Sequence, residues 1–316
     1  MNLDLYKGSG VVKRYIFNPI LTKDDIPYEV STVYNPAIAI YQDKYILIFR
    51  AAKLNGRSIL GKAISKDGFN FEVEKEPFMV PEREGYFAKY ESAGIEDPRI
   101  TKIDNVYYIT YSAYSEYGVR IGLAKTTDFE RVERVALITS ADHRNIVIFP
   151  EKFGDDYVRL DRPHSDIIPW SIWISYSKDL VHWGRSDILI KPKSYHWDEL
   201  KVGPGAPPIK TKEGWLSIIH GVYMTMSGSV YRLGVALHDL EDPSKILGVS
   251  DEWILEPEDE WERVGYVPNV VFCSAALMEQ DYIRLWWGAA DSVICTGIAK
   301  VEDLVNKCLS SKRSAL

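Results

Sequence analysis

The sequence has few cysteines and no cysteine motif. Cys273, Cys295 and Cys308 are the three in 316 residues, and they form neither a CxxC pair nor a Cys/His cluster with metal-ligand spacing. An odd number of widely spaced thiols is typical of buried free cysteines in a reducing compartment. The sequence therefore predicts no disulfide framework and no metal site, and we expect no metal or organic cofactor.

Positive charge and long apolar runs are also scarce. The chain has 45 acidic against 38 basic residues, a net charge of −7 and a pI near 5.5. A nucleic-acid-binding protein needs a broad basic face, so we expect no nucleic-acid partner. The first residues lack the apolar segment of a secretion signal, and no run approaches membrane-spanning length. These features predict a soluble, cytoplasmic protein with no membrane partner.

What the sequence does contain is a series of short, aromatic-rich runs. Hydrophobic residues make up 46% of the chain and aromatic residues 12%, enough for a large core. The apolar runs are mostly four to eight residues long and are separated by turn residues such as Asp104-Asn105. No convincing amphipathic helix precedes Val301–Lys307. The pattern predicts an all-β protein with a short C-terminal helix, residues 1–316 forming a single domain.

A turn motif recurs along the chain. It combines a small or polar residue, an acid and an apolar residue, and follows the second or third strand of each predicted unit. Five copies, about 50 to 60 residues apart, predict a five-bladed β-propeller with four strands per blade. A two-sheet sandwich is the alternative, but it explains neither the period nor the fivefold recurrence. The acids of the five copies are Asp67, Asp128, Asp179, Asp239 and Asp303.

Five proline-containing segments are interpreted as the starts of innermost strands. In a propeller such starts point to a central channel, so we expect polar residues near them to converge. The segments are Asn35-Pro36-Ala37, Asp97-Pro98-Arg99, Ile148-Phe149-Pro150, Ala206-Pro207-Pro208 and Val267-Pro268-Asn269.

The octet Ala93–Ile100 places two carboxylates, Glu96 and Asp97, at the mouth of a strand. Pro98 forbids a helix here and favours an extended Asp97. Partial burial would raise the pKa of Asp97 and suit it to proton donation. By strand alternation, Glu96 is expected to point to the opposite face. The alternative is a strand-entry turn in which one carboxylate pairs with Arg99.

Several cations stand at other strand ends: Arg144, Arg162, Lys201 and His220. Clustered cations with directional donors are what an oxyanion such as phosphate needs, and clustering them costs repulsion unless an anion binds. Scattered, solvated strand-end charges are the alternative. If the cluster forms, a protonated His220 is expected to donate to phosphate, with affinity weakening as pH rises through its usual pKa, about 6.5.

These residues belong to longer motifs, and with them the sequence resembles glycoside hydrolase family 130. That family comprises β-mannoside phosphorylases and related β-mannosidases, which have five-bladed propellers, and the resemblance runs from about residue 18 to residue 300. The motifs are Asn35-Pro36-Ala37, Phe49-Arg50-Ala51, Glu96-Asp97-Pro98-Arg99, Arg144-Asn145, Arg162-Pro163, Lys201-Val202-Gly203, His220-Gly221-Val222, and the segments 239–245, 264–272 and 288–291.

The resemblance implies roles for individual positions. Asp97 matches the family's proton donor, which is thought to act through the 3-hydroxyl of the mannosyl ring. The loop 53–56 could shift the alignment of Arg57, and Tyr223 is an alternative to Tyr231. The positions that match mannosyl-binding residues are Asn35, Arg50, Arg57, Asn145 and Asp291, and those that match phosphate-binding residues are Arg144, Arg162, Lys201, His220 and Tyr231.

The implied activity is that of an inverting β-mannoside phosphorylase, a transferase that releases α-D-mannose 1-phosphate with phosphate as co-substrate. Such an enzyme needs one acid, because phosphate is already a nucleophile, whereas an inverting hydrolase needs a second carboxylate as base. A β-mannosidase and a non-catalytic sugar-binding propeller are the alternatives. The linkage, β-1,4 or β-1,2, and the acceptor stay open, with segment 164–170 a plausible aromatic platform for the acceptor sugar. A homo-oligomer is compatible with the sequence but not required by it.

Overall fold

The computed structural model describes residues 2–316. The protein is mostly β, so the prediction of a β-rich fold is confirmed at this level. Strands dominate because β-branched and aromatic residues recur in short runs between turn-forming Gly, Asn and Asp. The strands, in chain order, are β1 (Tyr6–Lys7), β2 (Lys13–Tyr15), β3 (Thr32–Tyr41), β4 (Lys44–Ala52), β5 (Ser58–Ser65), β6 (Glu72–Val73), β7 (Gly94–Ile103), β8 (Val106–Ser115), β9 (Gly118–Thr126), β10 (Glu133–Leu137), β11 (His143–Ile148), β12 (Tyr157–Pro163), β13 (Ile172–Ser177), β14 (Trp183–Ile190), β15 (Lys201–Pro204), β16 (Ile209–Lys210), β17 (Trp215–Thr225), β18 (Gly228–His238), β19 (Ile246–Val249), β20 (Val271–Glu279), β21 (Tyr282–Ala289) and β22 (Val293–Lys300).

Helices are few and short. The predicted C-terminal helix is present and buries Leu304, Val305 and Cys308 against the sheets. Within residues 2–316, no helix has the length and apolarity needed to cross a membrane. The helices are α1 (Gly85–Tyr90), α2 (Glu260–Arg263) and α3 (Val301–Leu309), with 3₁₀ turns at Leu3–Leu5 and Lys23–Asp25.

Four hydrogen-bonded sheets contain the strands. Their orders are β1-β2-β22-β21-β20, β10-β9-β8-β7-β5-β4-β3 with β6 on β5, β11-β12-β13-β14, and β15-β17-β18-β19 with β16 on β17. The large second sheet is two antiparallel halves joined by a parallel pairing of Ser58 with Gly94. The strands therefore form five antiparallel groups: group 1 (β3–β6), group 2 (β7–β10), group 3 (β11–β14), group 4 (β15–β19) and group 5 (β20–β22 with β1 and β2).

Five clusters of buried hydrophobic side chains fill the spaces between successive groups. Each cluster takes residues from two groups, and the fifth joins group 5 back to group 1. Apolar burial of this kind is the main favourable term in folding. Representative pairs, from the interface of groups 1 and 2 onward, are Ile48 with Ile109, Leu123 with Ile148, Leu160 with Ile219, Val235 with Leu285 and Trp286 with Leu47.

Four of the five copies of the turn motif adopt one geometry. In each, the acid follows a strand (β5, β9, β13 or β18) and its Oδ1 accepts hydrogen bonds from two backbone N–H groups, those two and three residues further on. The fifth acid, Asp303, lies instead in the first turn of α3. The four acids and their donors are Asp67 with Phe69 and Asn70, Asp128 with Glu130 and Arg131, Asp179 with Val181 and His182, and Asp239 with Glu241 and Asp242.

The proline segments do not all begin strands, so this part of the sequence interpretation is wrong. Pro36 and Pro98 lie inside the first strands β3 and β7, and Pro268 precedes β20. Pro150 instead follows β11, where a residue without an N–H donor ends the strand, and the pair Pro207-Pro208 lies between β15 and β16, which both pair with β17.

Candidate active site

A cavity of about 330 Å³ opens where the first strands of the five groups come together. Ten of the eleven site residues expected from the sequence line it, although they come from every part of the chain. The wall is completed by two aromatic side chains, a histidine and two valines to which the sequence interpretation assigned no definite role. The lining residues are Asn35, Arg50, Asp97, Arg144, Asn145, Arg162, His164, Trp170, Lys201, His220, Tyr231, Val267, Val270, Phe272 and Asp291.

Arg57 is the site residue that the structure does not bring to the cavity. It is exposed in the turn between β4 and β5, where its N–H donates to Asn55 Oδ1 at 3.1 Å and its carbonyl accepts from the Lys53 N–H at 2.9 Å. The expectation that Arg57 binds the mannosyl unit therefore has no support from the geometry. The turn closes on itself and holds residue 57 outside the lining.

Three lining residues project inward from bulges in the first strands. The pairing register shifts at Tyr34/Ala37, Glu96/Arg99 and Arg144/Val147, and the residue inside each shift has a positive φ: Asn35 at 46°, Asp97 at 50° and Asn145 at 58°. Asn and Asp tolerate this left-handed region better than other non-glycine residues. A bulge re-aims a side chain, which places these three polar groups in the cavity.

The bulge at residue 97 corrects two expectations. Asp97 is not extended, because its φ is positive even though Pro98 follows it. Glu96 does not point away from it, since strict alternation fails inside a bulge. Both carboxylates contact Arg50: its Nη2 donates to Glu96 Oε1 at 2.7 Å and its Nη1 to Asp97 Oδ1 at 3.3 Å.

The two carboxylates nevertheless differ in their surroundings. Asp97 Oδ1 also accepts from Asn35 Nδ2 at 2.9 Å and faces the cavity, whereas Glu96 lies behind it and accepts from Ser58 Oγ at 3.4 Å. Both are more than nine-tenths buried. Asp97 is thus the member of the pair that meets a ligand.

The pKa values of the carboxylates in and behind the cavity wall also differ from what the sequence predicted. Burial alone would raise the pKa of Asp97, but Arg50, Arg99 and the Asn35 hydrogen bond outweigh it and hold that pKa below its usual value. The expected upward shift of Asp97 is therefore wrong for the empty site. Burial, opposed by Arg50 and reinforced by Asp97, raises the pKa of Glu96. Burial and the charge of Asp97 raise the pKa of Asp291 to about 7.

Arg99 connects the acidic side to the rest of the cavity. Its side chain is buried, and it donates from Nη1 to the Asp97 carbonyl at 2.8 Å, from Nη2 to Asn145 Oδ1 at 3.3 Å and from Nε to the Gly205 carbonyl at 3.0 Å. These acceptors belong to groups 2, 3 and 4. The sequence contains only a weak indication of this role, because Arg99 is an arginine beside a proline in an apolar strand. The sequence interpretation treated Arg99 only as a partner for a neighbouring carboxylate.

A second group of lining residues is cationic, and we call it the cationic wall. Arg162 and Lys201 both approach the face of Trp170, their charged groups lying 5.4 and 5.1 Å from the ring centroid. Lys201 also lies 5.1 Å from the ring of Tyr231. Among residues 2–316, neither Arg162 nor Lys201 forms an ion pair with a carboxylate, and Arg162 Nε is buried without a hydrogen-bond partner. Buried cations in this state favour the binding of an anion.

His220 takes a different part in this wall from the one expected. Its Nε2 is 3.0 Å from Arg162 Nη1, and because a guanidinium only donates, Nε2 is the acceptor and Nδ1 carries the proton. Burial, together with Arg162, Arg99 and Lys201, pushes the pKa of His220 well below 6.5. His220 is therefore neutral, and the expected titration of this residue near pH 6.5 is wrong.

Lys201 is the group on this wall that titrates near neutrality. Burial, together with the charges of Arg162 and Arg144, lowers its pKa to about 7. Burial, together with the charges of Arg144 and Arg99 and opposed by Tyr231, lowers the pKa of Arg162 to about 10. The charge of the Lys201 side chain therefore changes near pH 7.

Gly203 provides the space for the histidine–arginine contact. A Cβ at this position would lie 2.5 Å from His220 Cε1, 2.6 Å from its Nε2 and 3.1 Å from Arg162 Nη1. These distances are too short for any side chain, so the backbone of β15 packs directly against the imidazole.

Comparison with known proteins identifies the family to which the chain belongs. The family model described as beta-1,4-mannooligosaccharide phosphorylase matches residues 11–310, and the chain belongs to this family, glycoside hydrolase family 130. The resemblance noted from the sequence is confirmed.

Individual relatives are similar over nearly their whole length. The 1,2-beta-oligomannan phosphorylase of Thermoanaerobacter sp. (strain X514) is 38% identical over 304 residues, covering 93% of this chain and 98% of that protein. The beta-1,2-mannobiose phosphorylase of the same strain is 38% identical over 314 residues, covering 94% and 98%. The beta-1,2-mannobiose phosphorylase from Listeria innocua, solved with beta-1,2-mannobiose, superposes with a TM-score of 0.88 at 29% identity, covering 95% and 99%.

The first prediction concerns Gly203. Gly203→Ala should displace His220 and Arg162 and weaken the binding of inorganic phosphate by about tenfold or more, the effect of losing one charge-assisted hydrogen bond. Isothermal titration with phosphate measures it. Gly184→Ala, at a strand position where a Cβ meets nothing within 4 Å, is the matched control and should bind phosphate like the wild type. Equal affinities for the two variants would contradict the assigned contact.

A second prediction follows from Lys201. An anion that needs the ammonium should bind less tightly as pH rises through about 7, by about tenfold per pH unit. Sulfate is the suitable probe, since it stays a dianion throughout and its affinity can be titrated from about pH 6 to 9. Lys201→Met should bind weakly, and with Asp291→Asn added, which removes the other lining group whose pKa is about 7, its profile should be flat. A decline that begins below pH 6.5 and persists in this double variant would restore a charged His220.

Proposed function

We propose that this protein is an inverting β-mannoside phosphorylase, which transfers a β-linked mannosyl unit to inorganic phosphate and forms α-D-mannose 1-phosphate. The observation that carries the proposal is that one cavity is lined both by a carboxylate and by cations that no carboxylate of residues 2–316 neutralises. The carboxylate is Asp97, and the cations are Arg162 and Lys201, which have no carboxylate partner among the described residues. An acid and an anion site on opposite sides of a sugar are what in-line phosphorolysis needs.

Asp97 is the proposed general acid. In the empty cavity it is ionised, because Arg50 and Arg99 outweigh the effect of burial. Arg144 also lowers the pKa of Asp97, and a phosphate dianion bound beside Arg144 would offset that charge and move the pKa upward. A sugar that fills the cavity removes water and acts in the same direction. With its pKa raised, Asp97 takes up a proton from solvent and gives it to the leaving glycosidic oxygen, directly or through a mannosyl hydroxyl. A phosphate oxygen bonds to the anomeric carbon as the glycosidic bond breaks.

The cationic wall is the proposed phosphate subsite. Four lining residues supply hydrogen-bond donors to the phosphate oxygens, and the three basic ones also supply positive charge: Arg144, Arg162, Lys201 and Tyr231. The planar guanidinium groups of the two arginines match the geometry of the phosphate oxygens especially well. His220 contributes by accepting from Arg162 and fixing the guanidinium in place. The nucleophile is held rather than deprotonated, since phosphate carries its own negative charge.

The mannosyl unit is proposed to lie between these walls, with hydroxyl groups bound by Asn35, Arg50, Asn145 and Asp291. All four line the cavity, and Asn35 and Arg50 already contact Asp97, so a sugar held by them is held beside the acid. Trp170 packs against Arg162 and Lys201, which favours a place in the phosphate wall over the acceptor platform expected from the sequence.

The alternative activities receive less support. An inverting hydrolase needs a carboxylate base about 6.5–9.5 Å from the acid to activate water on the far side of the sugar. Among the described lining residues, the carboxylates are Asp97 and Asp291, and Asp291 is close enough to Asp97 to have its pKa raised by it. The far wall carries cations in place of a base. A purely sugar-binding role leaves those cations unexplained.

The proposed architecture is a single five-bladed β-propeller formed by groups 1 to 5. Three observations support it: the five antiparallel groups, the five apolar clusters that link each group to the next and the last to the first, and the recurrent acid turn. The cavity lies where the first strands converge, as expected for the central end of such a ring.

We further propose a β-1,2 linkage for the substrate, because both relatives at 38% identity are named for that linkage. The proposed cellular location is the cytoplasm, which suits three buried thiols that are free. No cofactor beyond phosphate is proposed; residues 2–316 contain no group of three or more His, Cys, Asp or Glu residues placed to hold a metal ion. Nucleic acid and membrane are not proposed as partners, and the oligomeric state is left open.

One assay tests the activity. β-1,2-mannobiose is incubated with the protein in EDTA, with and without phosphate, and the products are identified by NMR. The expected result is α-D-mannose 1-phosphate and mannose only when phosphate is present. Free mannose in the absence of phosphate would favour the hydrolase, and no reaction under either condition would favour a binding protein. β-1,4-mannobiose in parallel tests the linkage.

A further prediction concerns Asp97, the proposed general acid. Asp97→Asn keeps the size and the positive φ of the residue, and should lower kcat by about 10²–10⁴-fold without weakening phosphate binding. Glu96→Gln, one residue away and behind the cavity wall, is the matched control and should lose much less. A strongly impaired Glu96→Gln beside a near-normal Asp97→Asn would reverse the assignment of the acid.

A further inference from the structure

A second cavity lies on the reverse face of the strands that form the cationic wall. Residues 143, 161 and 163 line this cavity, and residues 144, 162 and 164 line the candidate active site. This is strand alternation on the paired strands β11 and β12, in which His143 faces Pro163 and Arg144 faces Arg162. One layer of backbone therefore separates the two cavities. The second has a volume of about 390 Å³, within the range of small-molecule sites.

A buried ion pair forms the floor of the second cavity. Arg159 Nη2 donates to Asp161 Oδ2 at 2.9 Å, and Arg159 Nη1 donates to the Ile138 carbonyl at 3.1 Å. Arg159 and Asp161 are 4% and 2% exposed. The active-site mechanism uses neither residue, and most buried charges are found with their hydrogen-bonding capacity filled.

Two hydrogen-bonding atoms of this cavity have no partner within residues 2–316. Arg159 Nε and His143 Nδ1 are both buried and have no hydrogen-bond partner among the described residues. His143 Nδ1 lies 3.8 Å from Asp161 Oδ2, too far for a hydrogen bond. Both atoms are shielded from solvent in this conformation, so a ligand in the cavity that carries donors and acceptors satisfies them once the two side chains turn toward it.

Aromatic rings complete the cavity. The indoles of Trp173 and Trp183 are half-buried and line it, and the Arg159 guanidinium lies 4.5 Å from the centroid of Trp183. Such rings pack against apolar C–H surfaces and leave polar edges to other partners. Charged, planar side chains beside them donate to and accept from adjacent hydroxyl groups.

The charge of the floor selects the class of ligand. The Arg159–Asp161 pair is neutral as a unit, so it offers no net attraction to an ion, and the Asp161 carboxylate would repel an anion drawn by Arg159. A further cation on the wall, Arg120, has no carboxylate partner among the described residues, but it already donates from Nε to the Thr139 carbonyl at 2.8 Å and from Nη1 to the Tyr86 hydroxyl at 3.2 Å. An anion is therefore the competing ligand, and the response to phosphate in the test below distinguishes it. A neutral ligand with hydroxyl groups and one apolar face fits these features, and a pyranose ring has both.

We propose that this second cavity is a carbohydrate-binding site for one neutral mannosyl unit, separate from the candidate active site. The sugar packs on Trp173 and Trp183 and hydrogen-bonds to the unused atoms of Arg159 and His143 and to the Asp161 carboxylate. The choice of mannose among neutral sugars rests on the proposed function. The existence of the site does not, because it depends on the cavity alone.

Fluorine NMR of protein labelled with 5-fluorotryptophan tests the proposal, because the two cavities carry different tryptophans. Trp170 reports on the active site, and Trp173 and Trp183 report on the second cavity. Each signal is assigned from its Trp→Phe variant. On titration with β-1,2-mannobiose without phosphate, the Trp173 and Trp183 signals should shift along one saturation curve, with a midpoint that differs from that of Trp170.

A filling variant locates the sugar. Ser140 is an exposed residue on the wall of the second cavity. Ser140→Phe should raise the midpoint for Trp173 and Trp183 by about tenfold or more and leave the Trp170 curve unchanged. Ser140→Ala, which keeps the cavity open, is the matched control and should behave like the wild type. Inorganic phosphate should shift Trp170 alone.

Three results would overturn the proposal: no shift of Trp173 and Trp183 up to the solubility limit of mannobiose, the same shift in Ser140→Phe, or a response of Trp173 and Trp183 to phosphate equal to that of Trp170. A failure of the proposed function appears elsewhere, as a Trp170 signal that responds to neither mannobiose nor phosphate. The two conclusions can therefore fail independently.

Discussion

The buried guanidinium of Arg99 is the interaction on which the site depends. It binds a backbone carbonyl in group 2, an asparagine side chain in group 3 and a backbone carbonyl in group 4, so three separate parts of the chain share one charge. Burial lowers its pKa to about 10, with Asp97 opposing the shift, so it stays charged at neutral pH. Removing it would leave several buried acceptors without donors, which costs far more than a hydrogen bond gains.

Around this centre, the cavity pairs some of its charges and leaves others unpaired within the described part of the chain. Arg50 neutralises Glu96 and Asp97 on one side, while Arg162 and Lys201 face each other's positive charge on the other. Charges that are buried and unpaired cost folding free energy. The protein tolerates this because the surrounding sheets are well packed, and a bound anion would recover part of the cost.

Much of this could be predicted from the sequence, where the information is local or recurrent. The acid turn repeats because one Asp carboxylate caps two nearby N–H groups, a contact that needs no distant partner. The identity of the cavity residues also followed, through motifs around Asn35, Arg162 and His220. Three features could not be predicted because they depend on how the folded strands and turns are arranged in space. They are the bulge that gives Asp97 a positive φ and brings Glu96 to Arg50, the turn that keeps Arg57 out of the cavity, and the burial that keeps His220 neutral.

The pairing of β2 with β22 has a consequence for how the chain folds. Lys13 and Arg14 pair with Ile298 and Gly297, so β2 is synthesised long before the strand with which it pairs. Until the two strands pair, β22 presents an open edge, which is a template for association with other chains. The contact also closes a very long loop, an entropic cost met only at the last step. The slowest and most aggregation-prone stage of folding should therefore be the docking of the first strands onto the last sheet.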